Sequence, residues 1–554
     1  MMFSIIDYAL FVGMLVLSVL IGIYFGFCGK KQTADEYLLG SRSMGVLPVA
    51  LSIIATQVSG ITLLAVPSDV YLYGANYTWI CVVIIPICIT TCYVYLPVLI
   101  KLKTPSVFEY LNLRFGKTIK LIASLLFVLE VLIYNPIVAF VPAIALAQAT
   151  GINVHFITPV IGIICIFYTT IGGFKAVVWT DTLQFIGVVG SVLAVFFLGI
   201  SSVGGFGIVW NRAREGERLD ILNFSLDPTI RDGFWPIVMG GTIHWLNNVC
   251  IYPPVVQKYL SVAKLGKARR IVLILCIGLI TLKMFSVLTG ILIYSKYYKC
   301  DPITTGEVTR NDQILPFFVM DVLSDIPGLS GIFIAGIFAA ALSTLSSTFN
   351  SLSATIYEDF IKPYVRKEFS ENRAKIILQL IVVISGILCI TLTLLIDKMG
   401  TILPITVAFL GLIHGYFLAL FTLGMLCPIA NSKGALCGMI VSFITATTIA
   451  ILNQWYKTQG VVETFRRPLS VDNCSVPLNV TVPPEISIDD VPFILFRLSA
   501  WYNSVIGFVV LMVIGIVVSC FTKSGEKVDA ALLSPIVTYL RTSPEYKEKP
   551  NAIL

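Results

Sequence analysis

Charged residues are scarce in this chain, since Asp, Glu, Lys and Arg make up only 12% of its 554 residues. A soluble domain carries about 25% charged residues, so the composition excludes an ordinary soluble globular protein. Hydrophobic residues make up 57% of the chain, and apolar runs of about 18 residues, enough to cross a bilayer, recur along it. The sequence predicts an all-α polytopic membrane protein with about thirteen transmembrane helices, near residues 8–27, 47–74, 78–100, 119–149, 156–171, 178–203, 233–260, 271–295, 327–360, 375–397, 401–427, 434–454 and 498–522.

Motifs that mark an enzyme or a metal centre are also missing. The thirteen cysteines never occur in the C-x₂-C spacing of zinc and redox sites. The chain has no H-E-x-x-H, G-x-S-x-G or P-loop pattern, which argues against catalysis and against any cofactor other than an ion. An A-x-A-like cleavage site is missing near the apolar residues 8–28, so we expect them to remain as the first span.

The basic residues between the spans predict the orientation of the chain. They follow spans one, three, seven, nine and thirteen, and the positive-inside rule places these segments in the cytoplasm. An odd number of spans then puts the N-terminus outside and the C-terminal tail inside, as in a multi-pass protein of the plasma membrane. The net charge of +7 therefore calls for no nucleic-acid partner. The basic residues are Lys30, Lys31, Arg42, Lys101, Lys103, Arg114, Lys117, Lys120, Lys264, Lys267, Arg269, Arg270, Lys362, Arg366, Lys367, Lys523 and Lys527.

The longest loop, at about 455–497, lies outside in this topology. Glycosylation sequons begin at Asn473 and Asn479, and glycosylation requires a lumenal or extracellular face. Cys300 and Cys474 also fall in outside loops, where a disulfide between them and two free thiols both remain open.

A hydroxyl-rich run, AAALSTLSSTFN at residues 339–350, lies within a long apolar segment. Ser343, Ser347 and Asn350 recur at i, i+4 and i+7, so they share one helical face. Polar groups at membrane depth are costly unless a ligand needs their oxygens, and an alkali cation exchanges its water shell for such oxygens. The run predicts a sodium-coupled transporter. A passive channel and a non-transporting sensor are alternatives, but the chain has no repeated filter motif, and its tail of about 30 residues is too short for a signalling domain.

Two of the predicted spans are interrupted by polar residues and helix breakers. Span two contains TQVSG at 56–60, and span seven contains GG at 240–241, HWLNN at 244–248 and PP at 253–254. Paired broken spans five helices apart are typical of an inverted repeat with a binding site at the bilayer midplane. Unwound backbone at that depth is tolerated where it lines a cavity. Two packing kinks in an ordinary bundle are the alternative.

Four motifs resemble the sodium/solute symporter family: LPVALS at 47–52 followed by VPS at 66–68, GGFKAVVWTD at 172–181, LST at 342–344 and EDFIKP at 358–363. The details are most similar to the animal branch that carries iodide, monocarboxylates and multivitamins such as biotin and pantothenate. The resemblance extends over about 5–525. It implies a LeuT-like core of two inverted five-helix repeats, flanked by extra helices, and sodium-coupled symport of a small organic anion by alternating access. Iodide, sugar or choline as the solute remain alternatives.

The resemblance also implies four regions. Residues 1–46 hold the extracellular N-terminus, the first flanking helix and a cytoplasmic loop, and residues 47–427 form the inverted-repeat transport core. Residues 428–522 hold two flanking helices with the glycosylated loop between them, and 523–554 form the cytoplasmic tail. The partners implied are sodium as co-substrate, the organic anion and the lipid bilayer.

The sodium site implied by the resemblance lies between the first and eighth core helices. Hard cations take several oxygen ligands. Asp181 is placed on the sodium path to the cytoplasm, and a helix-end ion pair with Lys175 is its alternative. A second sodium site could use Ser346, Ser347 and Asn350, or these side chains could bond across helices. The implied ligands of the first site are the hydroxyls of Ser343 and Thr344, the carbonyl of Ala340 and carbonyls near Ser59 and Thr62.

The substrate pocket is expected at the same depth, although plain helix packing is an alternative for each of its residues. Glu130 stands where branch members tend to have Gln. An ionisable residue at membrane depth indicates function, so it could bind a cation, carry a proton, or sit protonated and hydrogen-bonded. His244 and His414 have no metal-ligand partner one turn away and are expected to pack or bond between helices. The pocket residues are Gln57, Thr62, Cys81, Tyr134, Trp245, Val249, Leu403 and Val407.

Overall fold

The computed structural model describes residues 3–28, 33–102, 104–323, 326–365, 369–396, 402–459, 466–472, 474, 493–522 and 528–540. Within these ranges the chain forms helices joined by short connections, with no β-strand. The α-helices are α1 (Ile5–Phe27), α2 (Ala34–Leu39), α3 (Val46–Gln57), α4 (Gly60–Tyr73), α5 (Trp79–Thr90), α6 (Leu96–Leu102), α7 (Glu109–Phe115), α8 (Lys117–Thr150), α9 (Val154–Val203), α10 (Phe206–Glu215), α11 (Phe234–Cys250), α12 (Pro253–Leu260), α13 (Leu265–Lys296), α14 (Ile314–Leu323), α15 (Leu329–Thr355), α16 (Glu371–Ile396), α17 (Ile402–Leu426), α18 (Ser432–Thr458), α19 (Tyr502–Phe521) and α20 (Pro535–Leu540).

Many of these helices have the length and composition of membrane spans. In the described part of the chain, nine are long and apolar enough, and ten if the bent pair α3 and α4 counts as one span. The number thirteen remains a prediction. Two predicted spans, 156–171 and 178–203, fall in the continuous segment α9, which turns at Gly173 (φ 60°, ψ −158°). A Cβ at this position would lie 2.7 Å from the ring of Tyr37, so both the backbone conformation and the space require glycine.

Helix α15, which carries the hydroxyl-rich run, lies at the centre of the molecule. Almost all of its residues from 330 to 355 are buried, and it packs against α1, α3, α8 and α9. A Cβ at Gly336 would lie 2.2 Å from the hydroxyl of Ser191 on α9, so the absence of a side chain lets these two helices approach closely. The hydroxyls of α15 therefore face other helices of the protein rather than its surface.

Both predicted interruptions are present, and they lie beside each other. Helices α3 and α4 are bent by 54° at a short break, where Val58 leaves the helical conformation and the Ser59 side chain caps α4. Helices α11 and α12 are separated by two residues, and α12 begins at Pro253, which has no N–H to continue a helix. The Gln57 amide donates to the carbonyl of Asn248 at 2.7 Å. The two breaks are therefore joined across the core.

Cys300 and Cys474 are joined in a disulfide, which is one of the two arrangements left open above. Cys474 and residues 466–472, here called the strap, lie between α18 and α19, and the disulfide fastens the strap to the connection after α13. The sequons at Asn473 and Asn479 lie outside the described residues. Three further hydrogen bonds hold the strap: Arg467 N–H to the Leu72 carbonyl (2.9 Å), Asp301 N–H to the Ser470 carbonyl (3.0 Å) and the Arg218 guanidinium to the Pro468 carbonyl (2.9 Å).

Removing the disulfide is expected to lower the stability of the protein. Cys300→Ser should cost about 2–5 kcal/mol, because the bond constrains the unfolded chain across a separation of 174 residues. The measurement is thermal unfolding of the detergent-purified protein, with and without reductant. Reductant should lower the midpoint of the parent and leave that of Cys300→Ser unchanged. Cys437→Ser, at an exposed free cysteine, is the control and should match the parent. Equal midpoints for parent and Cys300→Ser would contradict this prediction.

Candidate cation and substrate site

Five oxygens from α3 and α15 meet at the break between α3 and α4. Because α3 ends at Gln57, the carbonyls of its last turn lack the amide partners of a continuous helix. The Ser343 hydroxyl donates to the carbonyl of Ala55 at 2.8 Å, and the Thr344 hydroxyl donates to the carbonyl of Thr56 at 3.0 Å. Both hydroxyls also lie 3.0 Å from the carbonyl of Ala340. This arrangement, here called the oxygen cluster, consists of neutral oxygens alone, the ligand type that hard cations prefer.

The carbonyls of α3 in this cluster differ from the predicted ones near Ser59 and Thr62. The Ser59 hydroxyl accepts from the backbone N–H of Thr62 at 3.3 Å, and the Ser59 carbonyl accepts from the N–H of Leu63 at 3.1 Å. Both groups thus satisfy the first turn of α4. The hydroxyls of α15 bond the carbonyls on the other side of the break, where α3 ends. Carbonyls near Ser59 and Thr62 as sodium ligands stay a prediction.

Asp181 is fully buried and forms an ion pair with Lys258 on α12. Its carboxylate lies 2.9 Å from the Lys258 ammonium and accepts from the hydroxyls of Ser52 at 2.7 Å and Ser347 at 3.1 Å. The predicted alternative, an ion pair with Lys175, is wrong, because Lys175 pairs with Glu36. The charged partner of Asp181 therefore lies on α12, whereas Lys175, the partner in the predicted alternative, lies on α9.

Lys258 was not singled out from the sequence. Its ammonium contacts the Ser52 carbonyl (3.1 Å) and the hydroxyls of Thr56 (2.5 Å) and Ser347 (2.8 Å) as well as Asp181. Thr56 contributes its carbonyl to the oxygen cluster and its hydroxyl to Lys258, so the ion pair adjoins that cluster. The signal available in the sequence was a basic residue inside the predicted span 233–260, since an ionisable residue there indicates function.

The predicted ligands of a second sodium site lie in different surroundings: Ser346 and Ser347 contact Asp181, and Asn350 does not. The Ser346 hydroxyl lies 3.3 Å from the Asp181 carboxylate and 3.3 Å from the carbonyl of Ser343. Ser347 bonds both members of the ion pair. The side-chain oxygen of Asn350 is buried, and no described residue forms a hydrogen bond with it. Ser346 and Ser347 therefore form hydrogen bonds across helices, which is the predicted alternative to a second sodium site.

An interhelical chain of hydrogen bonds joins Glu130 to both predicted histidines. The Glu130 carboxylate lies 3.0 Å from Nε2 of His414, and Nδ1 of His414 lies 2.9 Å from Nδ1 of His244. The chain links α8, α17 and α11. Bonds between helices were the expected role of the histidines. For Glu130, one carboxylate oxygen bonds His414 and the other is buried without a partner in the part of the chain that the structure describes.

Several predicted substrate residues gather near the paired breaks. Trp245 is buried, and its ring lies 3.6 Å from the ammonium of Lys283 on α13, a second lysine that the sequence analysis missed. The Cys81 thiol donates to the carbonyl of Ile280, on the same helix as that lysine, at 3.9 Å. The remaining predicted residues are placed as follows: Gln57 bonds Asn248, Thr62 bonds Ser59, Tyr134 lies beside Ser59, Val249 is buried, and Leu403 and Val407 belong to α17 with side chains outside the described part.

Comparison with known proteins agrees with this geometry. The model of the Sodium:solute symporter family matches residues 37–442. Sodium-coupled monocarboxylate transporter 1 of Homo sapiens is 36% identical, over 100% of this chain and 93% of its own. A putative sodium-dependent multivitamin transporter of Drosophila melanogaster is 38% identical, over 79% of this chain and 73% of its own.

Solved structures resemble the chain in fold. A Na⁺-coupled sialic acid symporter in a substrate-bound outward-open state superposes with a TM-score of 0.78 at 22% identity, over 95% of this chain and 99% of its own. Mhp1, a nucleobase-cation-symport-1 family transporter in a closed conformation, gives a TM-score of 0.50 at 12% identity, over 88% and 94% of the two chains. These likenesses confirm the LeuT-like fold that the family resemblance implied.

Proposed function

The chain belongs to the sodium:solute symporter family and is a sodium-coupled solute symporter, and we propose that it imports a small organic anion across the plasma membrane by alternating access. The substrate class is a monocarboxylate or a carboxylate vitamin such as biotin or pantothenate, and the role is transport rather than catalysis. The relatives named for monocarboxylates and multivitamins support this choice. Iodide, sugar and choline are the competing solutes.

The observation that carries the proposal is the oxygen cluster. It joins the broken end of α3 to α15, so a cation bound there would bridge two core helices and favour the conformation in which they touch. A cation can drive uptake only if it binds the substrate-occupied state more tightly than the empty one. The cluster adjoins Gln57, which reaches Asn248 in the second break. The oxygen cluster and the proposed substrate pocket therefore meet at consecutive residues, since Ala55 and Thr56 belong to the cluster and Gln57 to the pocket.

The roles of the neighbouring residues follow from this cluster. Ser343, Thr344, Ala340, Ala55 and Thr56 supply oxygens to sodium. Asp181 attracts the cation towards the cytoplasmic side, while Lys258 balances its charge. Because the ion pair already engages Ser346 and Ser347, we propose one sodium site at the cluster and no separate site at residues 346–350.

The orientation and the division into regions remain part of the proposal. Structural disulfides form in oxidising compartments, so the bond between Cys300 and Cys474 supports an extracellular position for the strap and for the loop at about 455–497. An extracellular N-terminus and a cytoplasmic tail agree with that position. The transport core would then comprise residues 47–427, preceded by α1 and followed by α18 and α19.

The number of ions sets the driving force. Each sodium ion moving down a tenfold gradient gives about 1.4 kcal/mol, and about 100 mV adds roughly 2.3 kcal/mol per charge. A monoanion moving inward returns the electrical contribution of one charge. One sodium with one monoanion is therefore electroneutral, whereas two sodium ions would carry an inward current. With the single site proposed here, uptake should proceed without current.

An uptake panel tests the proposed substrate class. Cells expressing the protein are given lactate, butyrate, nicotinate, biotin, pantothenate, iodide or glucose, in sodium medium and in choline medium. We expect sodium-dependent accumulation of at least one carboxylate and none of glucose. Sodium-dependent uptake of glucose or iodide alone would assign the chain to a competing solute. Uptake that persists in full after sodium is replaced would remove the proposed coupling.

A further inference from the structure

Lys283 on α13 is a buried cation without a carboxylate partner in the described part of the chain. Its side chain is 1% exposed, and it lies in the middle of a helix with the composition of a membrane span. Lys120 and Lys258, which are similarly buried, pair with Asp359 and Asp181 at 2.9 Å. Buried charges normally have such partners, because an unpaired charge in an apolar interior is costly.

The neighbours of Lys283 satisfy only part of its hydrogen-bonding capacity. A lysine ammonium has three donors and no acceptor. One neighbour is the Tyr77 hydroxyl, at 3.1 Å. The other is the face of the Trp245 ring, whose centre is 3.6 Å away, a cation–π contact that stabilises the charge in part. The contacts leave donor capacity for a further acceptor.

A second unsatisfied donor lies on the same aromatic ring. The indole N–H of Trp245 is buried and has no hydrogen-bond partner among the described residues. An ammonium with spare donors and an N–H without an acceptor thus occur together. Donors without acceptors are the complement of an anion, because a carboxylate has two oxygens and only accepts hydrogen bonds when ionised. A neutral or cationic ligand would leave this positive charge uncompensated.

A path of contacts connects Lys283 to the oxygen cluster, beginning with Trp245. Asn248 follows Trp245 by three residues, which is about one helical turn, and its carbonyl accepts from Gln57. Thr56, the neighbour of Gln57 in the chain, accepts from Thr344 in the oxygen cluster. The contact between Gln57 and Asn248 therefore links the helix that carries Trp245 to the helix end that supplies the cation ligands.

We propose that Lys283 binds the carboxylate of the transported substrate, with the Trp245 ring packed against the apolar part of that molecule. This inference rests on the proposed function and deepens it, since it names the residue that makes the transporter select monoanions. The carboxylate supplies the counter-charge that Lys283 lacks among the described residues. It also explains the coupling, because the bound anion lies near the sodium ligands and strengthens the binding of the cation.

The test compares Lys283→Met and Lys283→Arg with the parent in cells, using sodium-dependent uptake of the carboxylates that the parent transports. Losing one partner of a buried charge pair should raise the half-saturating concentration at least thirtyfold in Lys283→Met, an order-of-magnitude figure. Lys283→Arg keeps the charge and should retain part of the affinity. Lys296→Met, at a partly exposed ion pair on the same helix, is the matched control and should behave as the parent. Surface biotinylation reports how much protein reaches the membrane.

The outcomes separate this inference from the proposed function. If the parent transports no carboxylate, the proposed function fails first. If the parent transports one and Lys283→Met keeps its half-saturating concentration, the role of Lys283 is overturned. If Lys283→Met does not reach the surface, Lys283→Gln replaces it. If neither variant folds, thermal stabilisation of the purified parent decides, with a carboxylate from the panel that the parent transports and the neutral amide of that carboxylate as probes in sodium. Stabilisation by the carboxylate alone supports the inference, and equal stabilisation by both compounds overturns it.

Discussion

The double substitution Ser343→Ala and Thr344→Ala is expected to abolish sodium-dependent uptake while the protein still reaches the cell surface. The two hydroxyls contact the carbonyls of Ala55 and Thr56, and their loss removes two of the five oxygens in the oxygen cluster. Hydrogen bonds to charged groups contribute about 1.5–3 kcal/mol each, and the loss of two comparable ion contacts should weaken sodium binding by roughly 10²- to 10⁴-fold. The measurement is uptake against sodium concentration, together with surface biotinylation.

A matched control exists on the same helix. Ser351 and Ser353 are also buried, but their hydroxyls donate to carbonyls of α15 itself, at 3.1 and 2.7 Å. The double substitution Ser351→Ala and Ser353→Ala also removes two buried hydroxyls but none that bonds α3, so it should leave the dependence on sodium unchanged. If the Ser343 and Thr344 double variant keeps the sodium dependence of the parent, the cation does not bind at the cluster.

Breaking the buried ion pair between Asp181 and Lys258 should lower the stability of the protein strongly. Either Lys258→Met or Asp181→Asn leaves one charge buried without its partner, which costs about 3–5 kcal/mol of a total stability that is usually 5–15 kcal/mol. Combining both substitutions removes both charges and should recover most of the loss. The measurement is the melting temperature of the detergent-purified protein, followed by size-exclusion chromatography. Lys175→Met, at the partly exposed pair with Glu36, is the control and should cost less than about 1 kcal/mol.

The double variant also tests the sodium path. If Asp181 attracts sodium, the variant that lacks both charges should fold and yet require more sodium for half-maximal uptake. If the pair only stabilises the helices, the folded double variant should transport as the parent does. A double variant that is no more stable than either single one would contradict the assignment of the pair.

The fold could be predicted from the sequence because its signals are local. The hydroxyl-rich run, the breaker residues at 56–60 and 253–254 and the GGFKAVVWTD stretch each lie within a few residues, and each marks a feature that the structure contains. Gly173 in that stretch is the turn of α9. The contact between Gln57 and Asn248 shows that two breaks found separately in the sequence belong to one place in the fold.

The details of the site could not be predicted because they depend on register and on distant contacts. Which carbonyls face Ser343 and Thr344 depends on where α3 ends, and a shift of one turn separates Ala55 and Thr56 from Ser59 and Thr62. Lys258 is 77 residues from Asp181 in the chain, and the nearer Lys175 was a more obvious partner. Lys283 stands alone in a long apolar run, where nothing local reveals that it faces Trp245.

The strap places a mechanical constraint on alternating access. The disulfide fastens it to the connection after α13, and one of its backbone amides bonds the last turn of α4 through Leu72. Because the disulfide and this hydrogen bond both hold the strap, the C-terminal ends of α4 and α13 should move together. The larger movement of α4 relative to α13 is therefore expected at their opposite ends. A spin label at those ends should report wider distance changes during turnover than a spin label beside the disulfide.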